Sequence, residues 1–114
     1  MIDRLEFKKT VSEWGEEIVA MNIDIFCSEF EERFIRIRKN VAERDFKELE
    51  FTAHSLKGNV VLFMDPVTIQ LSKRLVEMAR QHITTGLDEV FADMEANSRL
   101  LLEELKVIRK GLTS

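Results

Sequence analysis

Residues 16–42 read EEIVAMNIDIFCSEFEERFIRIRKNVA, and the spacing of their apolar side chains decides the fold. Val19, Ile23, Phe26, Phe30, Phe34, Ile37 and Val41 recur at alternating steps of three and four, which places them on one stripe of an α-helix. Glu29, Glu31, Glu32, Arg33, Arg36, Arg38 and Lys39 fall between them and read as a solvated face. The pattern predicts one long helix over 16–42. It follows Gly15, and Glu16 and Glu17 suit the positive end of its dipole.

The same spacing continues outward. Phe46, Leu49, Ala53, Leu56, Val60 and Phe63 form a second run, beginning near Arg44 and ending before Asp65-Pro66, because the residue before a proline avoids helical geometry. Asp65 suits the cap of a third helix with Pro66 at its first position. That helix carries Val67, Leu71, Leu75, Met78 and His82, until Thr84-Thr85-Gly86 breaks it. Leu87, Phe91, Met94, Ser98, Leu101, Leu105 and Ile108 form the last run, closing near Gly111. Upstream, Ile2 to Glu13 reads as a shorter helix ending near Trp14-Gly15. Connections of a few residues make consecutive helices antiparallel neighbours. The expected fold is all-α: an up-down-up-down antiparallel four-helix bundle over 15–111, with an additional short N-terminal helix over 1–14 packed on it. Together they make one domain, 1–114.

Bulk properties narrow the function classes. The chain has 114 residues, enough for one core; 45% are hydrophobic and 33% charged, as in a globular helical protein. A net charge of −4 argues against general nucleic-acid binding. The opening residues Met1-Ile2-Asp3-Arg4-Leu5-Glu6 carry charge where a signal peptide needs an apolar core, and no apolar run is long enough to span a bilayer. Cys27, the single cysteine, has no intrachain partner and reads as a small buried hydrophobe; a cytoplasmic protein is the default expectation, as is a monomer. Trp14 is expected to cap one end of the bundle, Met21, Met64, Met78 and Met94 to fill its core or rim, and His82 to sit at a helix terminus favoured by the dipole. His54 and His82 lack the spacing or the cysteines of a metal site, and no metal is expected.

Chemistry concentrates in Ala53-His54-Ser55-Leu56-Lys57-Gly58, within the second run. His54 lies one residue from the core position Ala53, so its ring emerges at the edge of the buried stripe. Lys57 at i+3 and Gly58 at i+4 share its side of the helix. Glycine inside a helix costs about 1 kcal/mol relative to alanine, so its presence beside an exposed histidine asks for a reason. A position without a side chain lets another protein approach the ring. A neutral imidazole is a competent nucleophile near pH 7, and the lysine can neutralise charge on a group transferred to it. Phosphoryl transfer needs a placed nucleophile, an open line of approach and positive charge about the equatorial oxygens. A close-packing role for Gly58 and an ordinary solvated role for Lys57 are the plainer alternatives.

The hexapeptide resembles the signature of histidine-containing phosphotransfer domains, A-H-[ST]-L-K-G. The segment from Phe26 to Asp45, ending AERD, is similar to that family's helix and turn before the motif, and Leu71 to Arg80, LSKRLVEMAR, to the helix after it. The resemblance runs from Gly15 to the last helix. It implies that His54 accepts a phosphoryl group, on the ring nitrogen facing solvent, that Lys57 gives electrostatic support and that Gly58 gives the partner clearance. It implies a response-regulator receiver domain, a hybrid histidine kinase, or both, as partner, with Mg²⁺ held by the receiver and no cofactor of the chain's own. Such a domain is a phosphoryl carrier in a two-component phosphorelay, without autonomous kinase activity. The chain departs from the pattern after the motif, where Met64 and Asp65 replace the family's turn glycine and alanine.

Helix geometry places Lys47, Phe51 and Val61 on the face of His54, with Arg44 one turn before Lys47, a basic and apolar stripe suited to an acidic pocket with an apolar rim. Glu50, at i−4 from His54, either orients the ring or points into solvent. The rival readings are a phosphorylation-incompetent four-helix scaffold or adaptor binding a signalling partner, and the phosphate-accepting segment of a larger kinase.

Overall fold

A computed structural model describes residues 1–112; residues 113–114 of the expected 1–114 domain lie outside it. Five α-helices follow in order: α1 (Arg4–Trp14), α2 (Glu16–Ala42), α3 (Phe46–Val60), α4 (Pro66–Arg80) and α5 (Leu87–Lys110), with a 3₁₀ turn, Val61–Phe63, continuing α3. Helices α2 to α5 each neighbour the next, and α5 returns to α2, closing a four-membered ring around one core. The fold is an all-α bundle with a short extra helix, as the periodicity requires.

Local chemistry sets the boundaries. Asp3, Asp45 and Asp65 cap α1, α3 and α4, their carboxylates accepting the backbone N–H groups of Glu6, Glu48 and Thr68. The cap on Asp45 moves the start of α3 to Phe46, later than Arg44. Arg44 instead takes a left-handed backbone, φ 54°, in the turn after α2. Its guanidinium donates to the Val41 carbonyl and to both Asp88 oxygens at 3.2 Å, tying that turn to the start of α5. The α4–α5 connection, Gln81–Gly86, is longer than the sequence spacing implied, because α4 ends at Arg80 and His82 turns out of it at φ 56°.

The core is built on the buried side of α2. Phe26, Phe30 and Phe34 run along it with ring centroids 5.6 and 4.6 Å apart, and Phe63 and Phe91 join them from the 3₁₀ turn and α5. Leu49, Ala53, Leu56 and Val60 of α3 are fully buried against this stripe. The Thr52 hydroxyl donates to Asn40 Oδ1 at 2.9 Å inside the α2–α3 seam, satisfying two buried polar groups and fixing the register. Along the α2–α5 seam Asp24 pairs with Arg109, Glu31 with Arg99, and Arg38 with Glu95. The Arg99 hydrogen bond holds the Glu31 carboxyl below its ordinary value, and that of Asp24 raises the Arg109 guanidinium. Helix α1 packs on α2 and the 3₁₀ turn through Phe7; the Asp3 N–H donates to the Met64 carbonyl and the Ile2 N–H to Glu104.

Several side chains depart from expectation. Trp14 is 60% exposed in the last turn of α1 and does not close the end of the bundle, since α1 lies outside the four-helix ring against α2 and the 3₁₀ turn. Met21 is exposed on the outer side of α2, whereas Met78 and Met94 are buried. Cys27 is half-buried against the core, and that burial raises its thiol pKa. Arg33 is the exception on the supposed solvated face: its side chain keeps 17% of its accessibility, with Nη2 on Glu29 and Nη1 buried without a partner.

Leu56 sits beside His54 yet faces wholly inward. Leu56→Ala is therefore expected to lower unfolding free energy by about 2–5 kcal/mol, measured by urea denaturation. A loss near zero would mean that α3 does not pack as described.

Candidate functional site

The inward side of α3 alternates with an outward one at helical spacing, and the capped N-terminus at Asp45 fixes which residues fall on each. Ala53, Leu56 and Val60 anchor the helix to the core; Lys47, Phe51, His54, Gly58 and Val61 face solvent, and Lys57 is half-buried between the two sides. His54, Lys57 and Gly58 thus share an exposed patch on a rigid helix. Phe51, 70% exposed, stands one turn before His54, and Val61 about two turns after it.

Neither His54, Lys57 nor Lys47 forms a side-chain hydrogen bond or ion pair among the described residues, so their polar atoms are available to a ligand. Gly58 has a regular helical backbone, and a methyl group added there would meet no atom within 4 Å. Close helix packing therefore does not explain this glycine. No backbone strain explains it either, since its φ is not positive.

Two candidates from the sequence are engaged elsewhere. Arg44 lies in the turn before α3, with its guanidinium on Asp88, and does not continue the stripe one turn before Lys47. Glu50 does not orient the imidazole: its carboxylate lies at the surface and accepts from Arg80 Nε at 3.1 Å, bridging α3 to α4. His82 stacks on Phe46 at 4.8 Å and 11°, at the opposite end of α3 from Gly58. Phe46 and His54 stand about 12 Å apart along the helix axis, so the two histidines form no pair. Among the described residues no group of three or more His, Cys, Asp or Glu could hold a metal ion.

The sequence did not disclose a groove beside the patch. Phe51, Thr52 and Ser55 of α3 face Glu29, Glu32, Arg33 and Arg36 of α2 across a volume of about 170 Å³. Its cations are balanced by neighbouring acids: Arg33 pairs with Glu29 and Arg36 with Glu32, each one turn apart. The one available signal was Arg33, which falls at the margin of the apolar stripe rather than opposite it. The groove opens on the side of α3 away from the Glu50–Arg80 bridge, so the His54 patch lies between a mixed-charge depression and an ion pair.

No known protein family, curated protein or solved structure matches this chain.

Because a side chain at position 58 meets only open space, Gly58→Ala is expected to raise unfolding free energy by about 0.5–1 kcal/mol in urea denaturation. A destabilised Gly58→Ala protein would mean that the glycine serves the fold.

Proposed function

We propose that this protein is a phosphoryl carrier in which His54 accepts a phosphoryl group from an aspartyl phosphate of a receiver domain and returns it to another. The observation that carries the proposal is the placing of His54, Lys57 and Gly58 on one side of α3, with no partner for the imidazole or the ammonium among the described residues and no packing role for the glycine. A helix that forgoes helical propensity at Gly58 gains nothing from it inside the molecule; a partner's surface approaching the imidazole gains clearance.

The chemistry follows from ordinary imidazole reactivity. The lone pair of the unprotonated ring nitrogen attacks phosphorus, the P–O bond to the aspartyl carboxylate breaks, and an N–P bond forms; the other ring nitrogen then releases its proton to solvent. The ammonium of Lys57, one turn on, stabilises negative charge on the equatorial oxygens. Phe51 and Val61 offer apolar contact on either side of the ring, and Lys47 offers positive charge toward an acidic pocket. Mg²⁺ belongs in this reading to the receiver. The outward positions of His54, Phe51, Val61 and Lys47, with Lys57 half-buried beside them, fit a chain that supplies a nucleophile to another protein's site, not an enclosed active site of its own.

The reading is tested by incubating the protein with a radiolabelled phosphorylated receiver. Acid-labile, alkali-stable label is expected on the wild type and none on His54→Gln, which keeps polarity and approximate size. Transfer that survives in His54→Gln would sink the proposal, and absence of label with retained receiver binding would assign the bundle to an adaptor. Around the acceptor, Lys57→Ala is expected to slow transfer roughly 10-fold or more with the unfolding midpoint nearly unchanged. Gly58→Glu should weaken receiver association through bulk and charge. Stopped-flow transfer and titration calorimetry check the two; unchanged values would place docking elsewhere.

A further inference from the structure

Helix α2 has a second apolar stripe. Ile18, Met21 and Ile25 follow the three-four spacing of a heptad seam and are 42%, 51% and 39% exposed. At 3.6 residues per turn they lie on the side of α2 opposite Ile23, Phe26 and Phe30, so the bundle core cannot cover them. Trp14, also exposed, stands just before the start of α2. Exposed apolar residues scattered singly need no explanation, whereas three in register on one outer helix face form a candidate contact surface.

The charges around the seam select its occupant. Asp and Glu occupy seven positions between Lys9 and Arg33 with no Lys or Arg among them; Asp24, Glu29, Glu31 and Glu32 pair with arginines from outside that stretch, which leaves Glu13 and Glu17 without an ion pair among the described residues. Glu17 and Asp24 flank the seam on one side and Glu29 follows on the other. Arg109 of α5 engages Asp24 and Arg33 engages Glu29, whereas Glu17 has no ion pair among the described residues. A second copy docked antiparallel about Met21 would bring Glu17 to its mate's Asp24, whose charge Arg109 already balances, so the contact gains nothing from charge. An anionic bilayer or a nucleic acid would be repelled by Glu17.

We infer that the Ile18–Met21–Ile25 face of α2 docks a basic amphipathic helix of another protein, with apolar side chains at heptad spacing and Lys or Arg beside them. Its apolar residues fill the seam, the pliable Met21 at its centre, and its cations meet the acidic flanks. The face is remote from the proposed acceptor. The Thr52–Asn40 bond places the first turns of the His54 helix level with Asn40, and Met21 lies about 28 Å from Asn40 along α2. Both surfaces can therefore be occupied together.

The test uses the full chain and two designed heptad peptides, identical in their Leu and Ile seam but carrying either Lys or Glu at every flanking position. Titration calorimetry is expected to show saturable binding of the Lys peptide, with the Glu peptide roughly 10-fold or more weaker. Met21→Lys with Ile25→Lys should weaken the Lys peptide by a similar factor while circular dichroism stays unchanged, and His54→Gln should bind it as wild type does. Equal binding of the two peptides, or wild-type binding by the double variant, would overturn the inference. So would sedimentation of the wild type as a dimer that the double variant dissolves, which would give the face to a second copy.

Discussion

Phe26, Phe30 and Phe34 occupy successive turns of α2, and their edge and tilted contacts with one another, with Phe63 and with Phe91 fill the space that the other helices enclose. Burial of that stripe is the constraint on which the remaining structure depends. Helices α3, α4 and α5 are each too short or too polar to be stable alone, and each holds its helical form by covering part of the aromatic surface. The orientation of α3 follows from it: Leu49, Ala53, Leu56 and Val60 must face inward, so His54 and Gly58 must face out. The position of the candidate acceptor is thus a consequence of core packing. It needs no dedicated contacts to hold it.

A histidine placed this way is rigid in its backbone and free in its ring. The hydrogen-bonded helix holds its Cα in place, while among the described residues no side chain bonds to the imidazole nitrogens. For a group meant to enter another protein's site, this division is favourable: the approach is reproducible, and no internal hydrogen bond has to break first. Glu50 shows the same logic from the other side. Its carboxylate stands one turn before His54 and would compete for the ring, but Arg80 holds it toward α4. Arg80 therefore keeps an anion away from the patch that the proposed phosphoryl group would occupy.

Much of the architecture was legible in the sequence because apolar period and capping chemistry agree. The ends of α2 coincide with those read from its spacing, and Asp65-Pro66 opens α4 as a cap and first residue should. What failed depended on tertiary partners that periodicity does not encode. Arg44 keeps helical register on paper, but Asp45 captures the start of α3 and Asp88 captures the guanidinium. His82 fits the apolar spacing of α4, yet a left-handed turn ejects it to stack on Phe46. Size and apolarity alone suggest a bundle-end cap for Trp14 and a core or rim place for Met21, and both are exposed. At the candidate site, the exposure of His54 followed from its step beyond Ala53, whereas the groove with Arg33 did not, because it needs two helices in register.

The misassigned Met21 has a physical lesson in it. A helix carrying two apolar stripes on opposite sides cannot bury both in one bundle, and α2 spends the wider one, with its phenylalanines, on its own core. The narrower stripe remains in water at an energetic disadvantage that folding cannot relieve, with Glu17 beside it. Such a combination favours association with a helix of opposite charge over association with itself. It also lies at the end of α2 far from His54, so a partner held there would leave the proposed acceptor open. A carrier tethered through one end of its longest helix could then meet a receiver with the other at high effective concentration, gaining rate without altering the chemistry at the imidazole.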